Sequence, residues 1–131
     1  MLARYRDGGD PLSIALAPVI DAAGLAAARA ELAAVRAEDS VLSYATDLVR
    51  RTRESPACAV GASPRGTVAL FLAARAAAAL AGREFVVPDD VKRMAAPVLR
   101  HRIILKPEAE IEGVTPDRVI RDLAEAVSVP R

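Results

Sequence analysis

Gly61-Ala62-Ser63-Pro64-Arg65 stands where a long apolar stretch begins, and it fixes the start of a helix. Ser63 suits the capping position, where a side-chain oxygen accepts a backbone N–H. Pro64 suits the first turn, because the N–H it lacks would have had no helical partner there. Alanine fills most of the stretch that follows, including Ala76–Ala79, and Gly82 offers a stop. Val68, Phe71, Leu72, Ala76, Ala79 and Leu80 are the expected buried side, and the alanine run predicts a close helix crossing. Of 131 residues, 29 are alanine and only 3% are aromatic, so the 53% hydrophobic fraction describes helices packed around Leu, Val and Ile.

Other helix signals repeat along the chain. Leu25, Ala28, Leu32 and Val35 follow helical spacing, with Arg29, Glu31 and Arg36 turned away. After a break at Glu38-Asp39-Ser40, which supplies a capping residue, Val41, Tyr44, Ala45, Leu48, Val49 and Thr52 form one stripe. Asp47 with Arg51, and Arg50 with Glu54, are spaced for ion pairs, and Pro56 ends the helix. Pro88-Asp89-Asp90-Val91 opens a further helix with proline in the first turn and two acids at the positive end of the dipole. That helix is expected to reach Ala96, with Pro97 kinking or ending it. A last helix follows Thr115-Pro116-Asp117, with Val119, Ile120, Leu123 and Val127 inward. Phe85–Val87 and Ile103–Leu105 read as short strands that pair with each other. The run Ser13–Ile20 reads as a short strand or an extended arm, since Pro18 opposes a helix. The expected fold is all-α, a compact bundle of about five helices with a minor two-stranded β-ribbon.

Composition and absent motifs exclude several function classes. A net charge of +1 and few aromatics give no basis for nucleic-acid binding. No uncharged apolar run is long enough to span a membrane and no signal segment is present, so the chain reads as cytoplasmic. The single Cys58 excludes an internal disulfide and a cysteine-cluster metal site. There is no phosphate-binding G-x-x-x-x-G-K-[ST] loop, no G-x-S-x-G elbow and no H-E-x-x-H pair. His101 lies between Arg100 and Arg102 with no nucleophile nearby and reads as a polar helix-end residue. Cys58 reads as a small buried thiol. Glu108, Glu110 and Glu112 read as a solvated acidic face, and Asp89 and Asp90 as structural first-turn acids. No metal site is expected.

Arg65 is different. It falls in the first helical turn, where a cation opposes the positive end of the dipole by about 0.3–1 kcal/mol. Two readings stand on spacing alone. Arg65 is either a solvated surface charge or a side chain placed beside free N–H groups to meet an anion such as phosphate.

Gly61-Ala62-Ser63-Pro64-Arg65, then Gly82-Arg83-Glu84-Phe85-Val86-Val87-Pro88-Asp89-Asp90-Val91, then Val98-Leu99-Arg100-His101-Arg102 and Glu112-Gly113-Val114-Thr115 resemble the C-terminal lid domain of MoxR-type AAA+ ATPases. The Val49–Arg53 segment and the Val127–Pro130 ending fit the same family, and the order of the blocks covers nearly the whole chain. The resemblance implies that residues 1–21 are the core-to-lid junction and N-terminal arm, with Met1–Tyr5 near the adenine, and that residues 22–131 are the helical lid. It makes Arg65 the sensor-2 arginine, which reaches the γ-phosphate of ATP, with Gly61, Ala62, Ser63 and Pro64 shaping the turn that aims it. ATP and Mg2+ would be held mainly by an upstream AAA+ core. Walker A, Walker B and the arginine finger are missing here, so this piece is not expected to hydrolyse ATP alone. The resemblance further implies a homo-oligomeric ring, commonly a hexamer, a chaperone-like role and partners containing von Willebrand factor A domains. Two departures are visible: Val87 stands where a capping threonine is common, and Gly66 where alanine is. A magnesium-chelatase-like lid and a helical adaptor without nucleotide remain as alternatives.

Overall fold

The computed structural model describes residues 17–130. The elements are α1 (Ala22–Ala34), α2 (Asp39–Glu54), β1 (Cys58–Val60), α3 (Pro64–Leu80), α4 (Pro88–Leu99), β2 (Ile104–Leu105), α5 (Pro107–Ile111) and α6 (Pro116–Ala126). Met1–Ala30 and Glu31–Arg131 form two separate units. In the first, the Asp21 carboxylate accepts the Gly24 N–H at 2.7 Å and starts α1. The apolar positions of α1 have the helical spacing read from the sequence, yet none of its residues is buried. The Met1–Tyr5 junction and most of the Ser13–Ile20 arm lie outside the described residues.

Glu31–Arg131 holds the whole described core, a helical layer with a small ribbon at its side. All six stripe residues of α2 are buried, as their period requires. Tyr44 donates its hydroxyl to the Ala124 carbonyl at 3.2 Å and ties α2 to α6. On the solvent side Arg50, rather than Arg51, takes Asp47 at 3.1 Å, and it approaches Glu54 at 3.9 Å.

Helix α3 turns a different face inward from the one its large residues mark. Gly66, Leu70, Ala74, Ala77 and Ala78 are buried. Val68, Leu72 and Leu80 are exposed, Leu80 at 90% of its area, while Phe71 is half-buried. The reason is the crossing with α4, the most extensive interface among the described elements, where alanine side chains allow close backbone approach. Gly82 ends α3 with φ +72°. Its N–H donates to the Ala79 carbonyl at 2.9 Å, and that of Arg83 to the Ala78 carbonyl at 3.0 Å, a complete Schellman turn.

Helix α4 runs through Pro97 to Leu99 rather than stopping at Ala96. Proline there removes a single intrahelical bond in the final turn, and burial of Val91, Ala95 and Leu99 holds the helix together. The ribbon also differs from expectation. Ile104–Leu105 pairs antiparallel with Cys58–Val60, through Cys58 with Leu105 and Val60 with Ile104. Phe85 instead forms a parallel bridge with Arg36, whose N–H donates to the Glu84 carbonyl at 2.9 Å. Phe85–Val87 precedes α4 and Ile104 follows it, so a helix of about 18 Å holds the two strands at opposite ends. Among the described residues there are six helices; the one beyond the five expected is the short α5. Helix α6 starts at Thr115, whose Oγ1 accepts the Arg118 N–H at 3.3 Å, and buries Val119, Ile120 and Ala124. No helix among the described residues is long and apolar enough to cross a membrane.

Candidate functional site

The turn before α3 is clamped from α2. Thr52 is fully buried; its hydroxyl donates to the Val49 carbonyl at 2.6 Å and accepts the Ala62 N–H at 2.9 Å. The next residue, Arg53, donates Nη1 to the Ala62 carbonyl at 2.8 Å. Both backbone groups of Ala62, itself 0% exposed, are therefore satisfied by side chains ten and nine residues upstream. Gly61 lies so close to α2 that a Cβ there would stand 2.5 Å from the Arg53 nitrogen and Cα. Only glycine permits that approach. Thr52 reads from the sequence as one more stripe position and Arg53 as a charge at the helix end. Their bonds to a residue in the next loop carry no local signal.

Ser63 occupies the capping position in extended geometry but makes no side-chain capping bond. Its carbonyl accepts the Gly66 N–H at 2.7 Å instead, so the expected cap is supplied by backbone alone. Pro64 is the first helical residue. Arg65 follows, exposed, with no hydrogen bond or ion pair among the described residues. The first turn of α3 contains no acid. Gly66 is buried; a Cβ on it would stand 3.5 Å from Leu99 Cδ2 and 3.8 Å from Arg102 Cδ, so Arg102 lies over the same turn. Gly61, Ala62, Ser63, Pro64 and Arg65 thus form one continuous structure, a rigid backbone cradle ending in an exposed guanidinium. The other residues singled out by sequence lie elsewhere. Cys58 is buried in β1, and burial pushes its thiol pKa up. His101 is exposed beyond α4, and Glu108, Glu110 and Glu112 are exposed on and just after α5. Among the described residues no three His, Cys, Asp or Glu side chains converge to hold a metal.

Residues 50–123 match the model of the AAA lid domain family. The chain belongs to that family. Its relatives place this lid on the MoxR branch of AAA+ proteins. Over 115 residues it is 41% identical to "Uncharacterized protein YeaC" of Bacillus subtilis, covering 88% of this chain and 36% of that protein. It is 38% identical to "Chaperone MoxR1" of Mycobacterium tuberculosis over 56% of this chain and 19% of the relative. It is 56% identical to "Protein MoxR" of Paracoccus denitrificans over 38% of this chain and 15% of the relative. A crystal structure titled as a "putative ATPase" from Cytophaga hutchinsonii superposes with a TM-score of 0.74 at 33% identity, covering 79% of this chain and 34% of that one. The chain therefore spans about a third or less of the proteins it resembles.

The lid's other charged cluster lies beyond the far end of α3. Asp90 is 2% exposed and receives Arg83 through two bonds of 2.6 Å, Arg93 at 3.1 Å and the Val87 N–H at 3.0 Å. The Val87 side chain cannot accept a hydrogen bond, so Asp90 provides the one side-chain bond that caps α4. The Arg83 guanidinium holds the Asp90 carboxyl below the usual carboxylate range; burial opposes this, and the Val87 N–H and Arg93 assist it. Arg93 also donates to the Ala77 carbonyl at 3.3 Å, so the cluster joins α4 to the end of α3. The first-turn acid is visible in the sequence, but its two arginine partners are not.

Proposed function

We propose that this lid belongs to an ATP-hydrolysing AAA+ machine and that Arg65 is its sensor-2 arginine. The observation that carries the reading is the exposed, acid-free position of Arg65 on a turn made rigid by Thr52 and Arg53. An arginine held near the N-terminus of a helix suits phosphate, since guanidinium and free N–H groups both donate. ATP, bound with Mg2+ mainly by the preceding core, would supply the phosphoryl group. Arg65 donates to its terminal oxygens and stabilises the charge that develops there during transfer. Gly61, Ala62, Ser63 and Pro64 aim the side chain, and their rigidity transmits loss of that contact to the lid as a whole. Residues 1–21 serve as the junction to the core and residues 22–131 as the lid.

The wider reading is a homo-oligomeric ring, a hexamer, acting in the cytoplasm as a chaperone on partners that include von Willebrand factor A domain proteins. The relative named "Chaperone MoxR1" supports the chaperone part. The test is ATP turnover by the lid joined to its core, wild type against Arg65→Ala, with nucleotide affinity measured alongside. A turnover loss on the order of a hundredfold with little loss of ATP binding is expected of a residue acting on the transition state. Unchanged turnover would leave the lid a structural module.

A further inference from the structure

Two elements of this lid turn small residues inward and large ones out. Helix α3 buries Ala74, Ala77 and Ala78 and leaves Val68, Leu72 and Leu80 exposed. The short α5 does the same: Ala109 is buried, while Ile111 keeps 86% of its area. Val68, Leu72, Ala76 and Leu80 stand four residues apart and form one apolar ridge along the outside of α3. Side chains of this size left in water forgo the gain that burial brings.

The charges beside these two surfaces have opposite sign. From Pro64 to Leu80 the charged residues are Arg65 and Arg75; from Pro107 to Gly113 they are Glu108, Glu110 and Glu112. The guanidinium carbon of Arg75 lies 4.6 Å from the centre of the Phe71 ring, and its Nε is buried with no hydrogen-bond partner among the described residues. A carboxylate brought beside that stacked guanidinium supplies the acceptor it lacks. The three glutamates are exposed, and none has an ion pair among the described residues. Spacing matches as well. Leu72 and Arg75 are three residues apart, as are Glu108 and Ile111, so each helix offers an apolar group and a charge as neighbours on one face. Either surface set against its own copy opposes like charges, which disfavours a symmetric contact.

We propose that the outer face of α3 docks onto α5 of a second copy of this chain, Leu72 meeting Ile111 and Arg75 meeting Glu108. The two surfaces differ, so the contact is head to tail, the kind that closes into a ring. The inference rests on the reading of the protein as a homo-oligomeric ring and requires nothing of Arg65.

The experiment uses the lid joined to its core, with Leu72→Cys and Ile111→Cys made singly and together. Each is oxidised with copper phenanthroline and run on a non-reducing gel, with light scattering and a melting temperature for the unoxidised protein. The double variant is expected to give a series of covalent dimers, trimers and larger species. An equal mixture of the two single variants should stop at dimers, and each single variant alone should stay monomeric on the gel. Arg75→Glu in the double-cysteine protein should cut the cross-linked yield roughly two- to fivefold, the scale of a surface charge pair, and Glu108→Arg added to it should restore the yield. Dimers from Leu72→Cys alone would mean that α3 faces meet each other, and would overturn the proposal. An oligomer by light scattering that gives no covalent series would overturn it and leave the ring. A monomer would overturn both, and a yield indifferent to Arg75→Glu would overturn the pairing of Arg75 with Glu108.

Discussion

Just beyond the C-terminal end of α3, Arg83 is gripped by Asp90 through two bonds of 2.6 Å, in a corner where the carboxylate is almost fully buried. At the N-terminal end of the same helix, Arg65 is exposed and meets no carboxylate among the described residues. One residue type is used in two ways. The Asp90 corner spends its charges inside the molecule, capping α4 and fastening it to α3. The Arg65 turn is held instead by the Thr52 hydroxyl and by Arg53 bonding to backbone, which leaves the Arg65 charge without a carboxylate among the described residues. Charge is satisfied inside the Asp90 corner, whereas Arg65 keeps its charge on the surface of a turn that other groups hold.

The contrast can be broken from either end. The largest expected effect is that of Gly61→Ala, whose methyl group would collide with the backbone of Arg53 at 2.5 Å. A loss of about 3 kcal/mol is expected from forcing α2 and the turn apart, read as a lowered midpoint in urea unfolding. At the other end, Asp90→Asn should cost about 2–3 kcal/mol near neutral pH by leaving buried partners without their anion. Its sign with pH follows from the depressed carboxyl of Asp90. The stabilisation is fully present above the unfolded carboxyl value near 4 and is lost as pH falls through the lower folded value. Melting curves of wild type and Asp90→Asn should therefore converge on acidification; a gap independent of pH would mean that the charge of Asp90 is not what stabilises the corner.

Smaller effects sharpen the picture of the Arg65 turn. Thr52→Val keeps the shape but strands the Ala62 N–H, with an expected cost of about 1–2 kcal/mol in chemical denaturation. Gly66→Ala should stabilise by about 0.5–1 kcal/mol, since a methyl group there meets Ala62 at 3.4 Å and Leu99 at 3.5 Å in ordinary contact. A melting temperature that fell in Gly66→Ala would show the first turn of α3 to be tighter than described.

Much of this architecture is legible in the chain. The period of Val41, Tyr44, Ala45, Leu48, Val49 and Thr52 selects one face because polar residues fill the other. In α3 nearly every residue is apolar, so the period selects nothing. The large side chains Val68 and Leu72 suggest the wrong face, because at a close crossing small residues go inside. Helix starts at Pro64, Pro88 and Pro116 are written locally in turn chemistry, as is the stop at Gly82. Pairing is not local. Nothing in Ile103–Leu105 distinguishes Cys58–Val60 from Phe85–Val87 as a partner, and the length of α4 decides it. The same limit applies to the site. The position of Arg65 follows from its own turn, while the bonds from Thr52 and Arg53 and the approach of Arg102 exist only once the helices pack.

The most direct test sets the two ends of α3 against each other in the lid joined to its core, measuring ATP turnover and melting temperature for Arg65→Ala and Arg83→Ala. A crossed result is expected. Arg65→Ala should lose turnover on the order of a hundredfold while its melting temperature holds or rises slightly, since an opposing charge leaves the helix start. Arg83→Ala should lose melting temperature while its folded fraction turns over ATP at the wild-type rate. Arg65→Ala with wild-type turnover, or Arg83→Ala with full stability, would contradict the division of labour between uncompensated and compensated arginines.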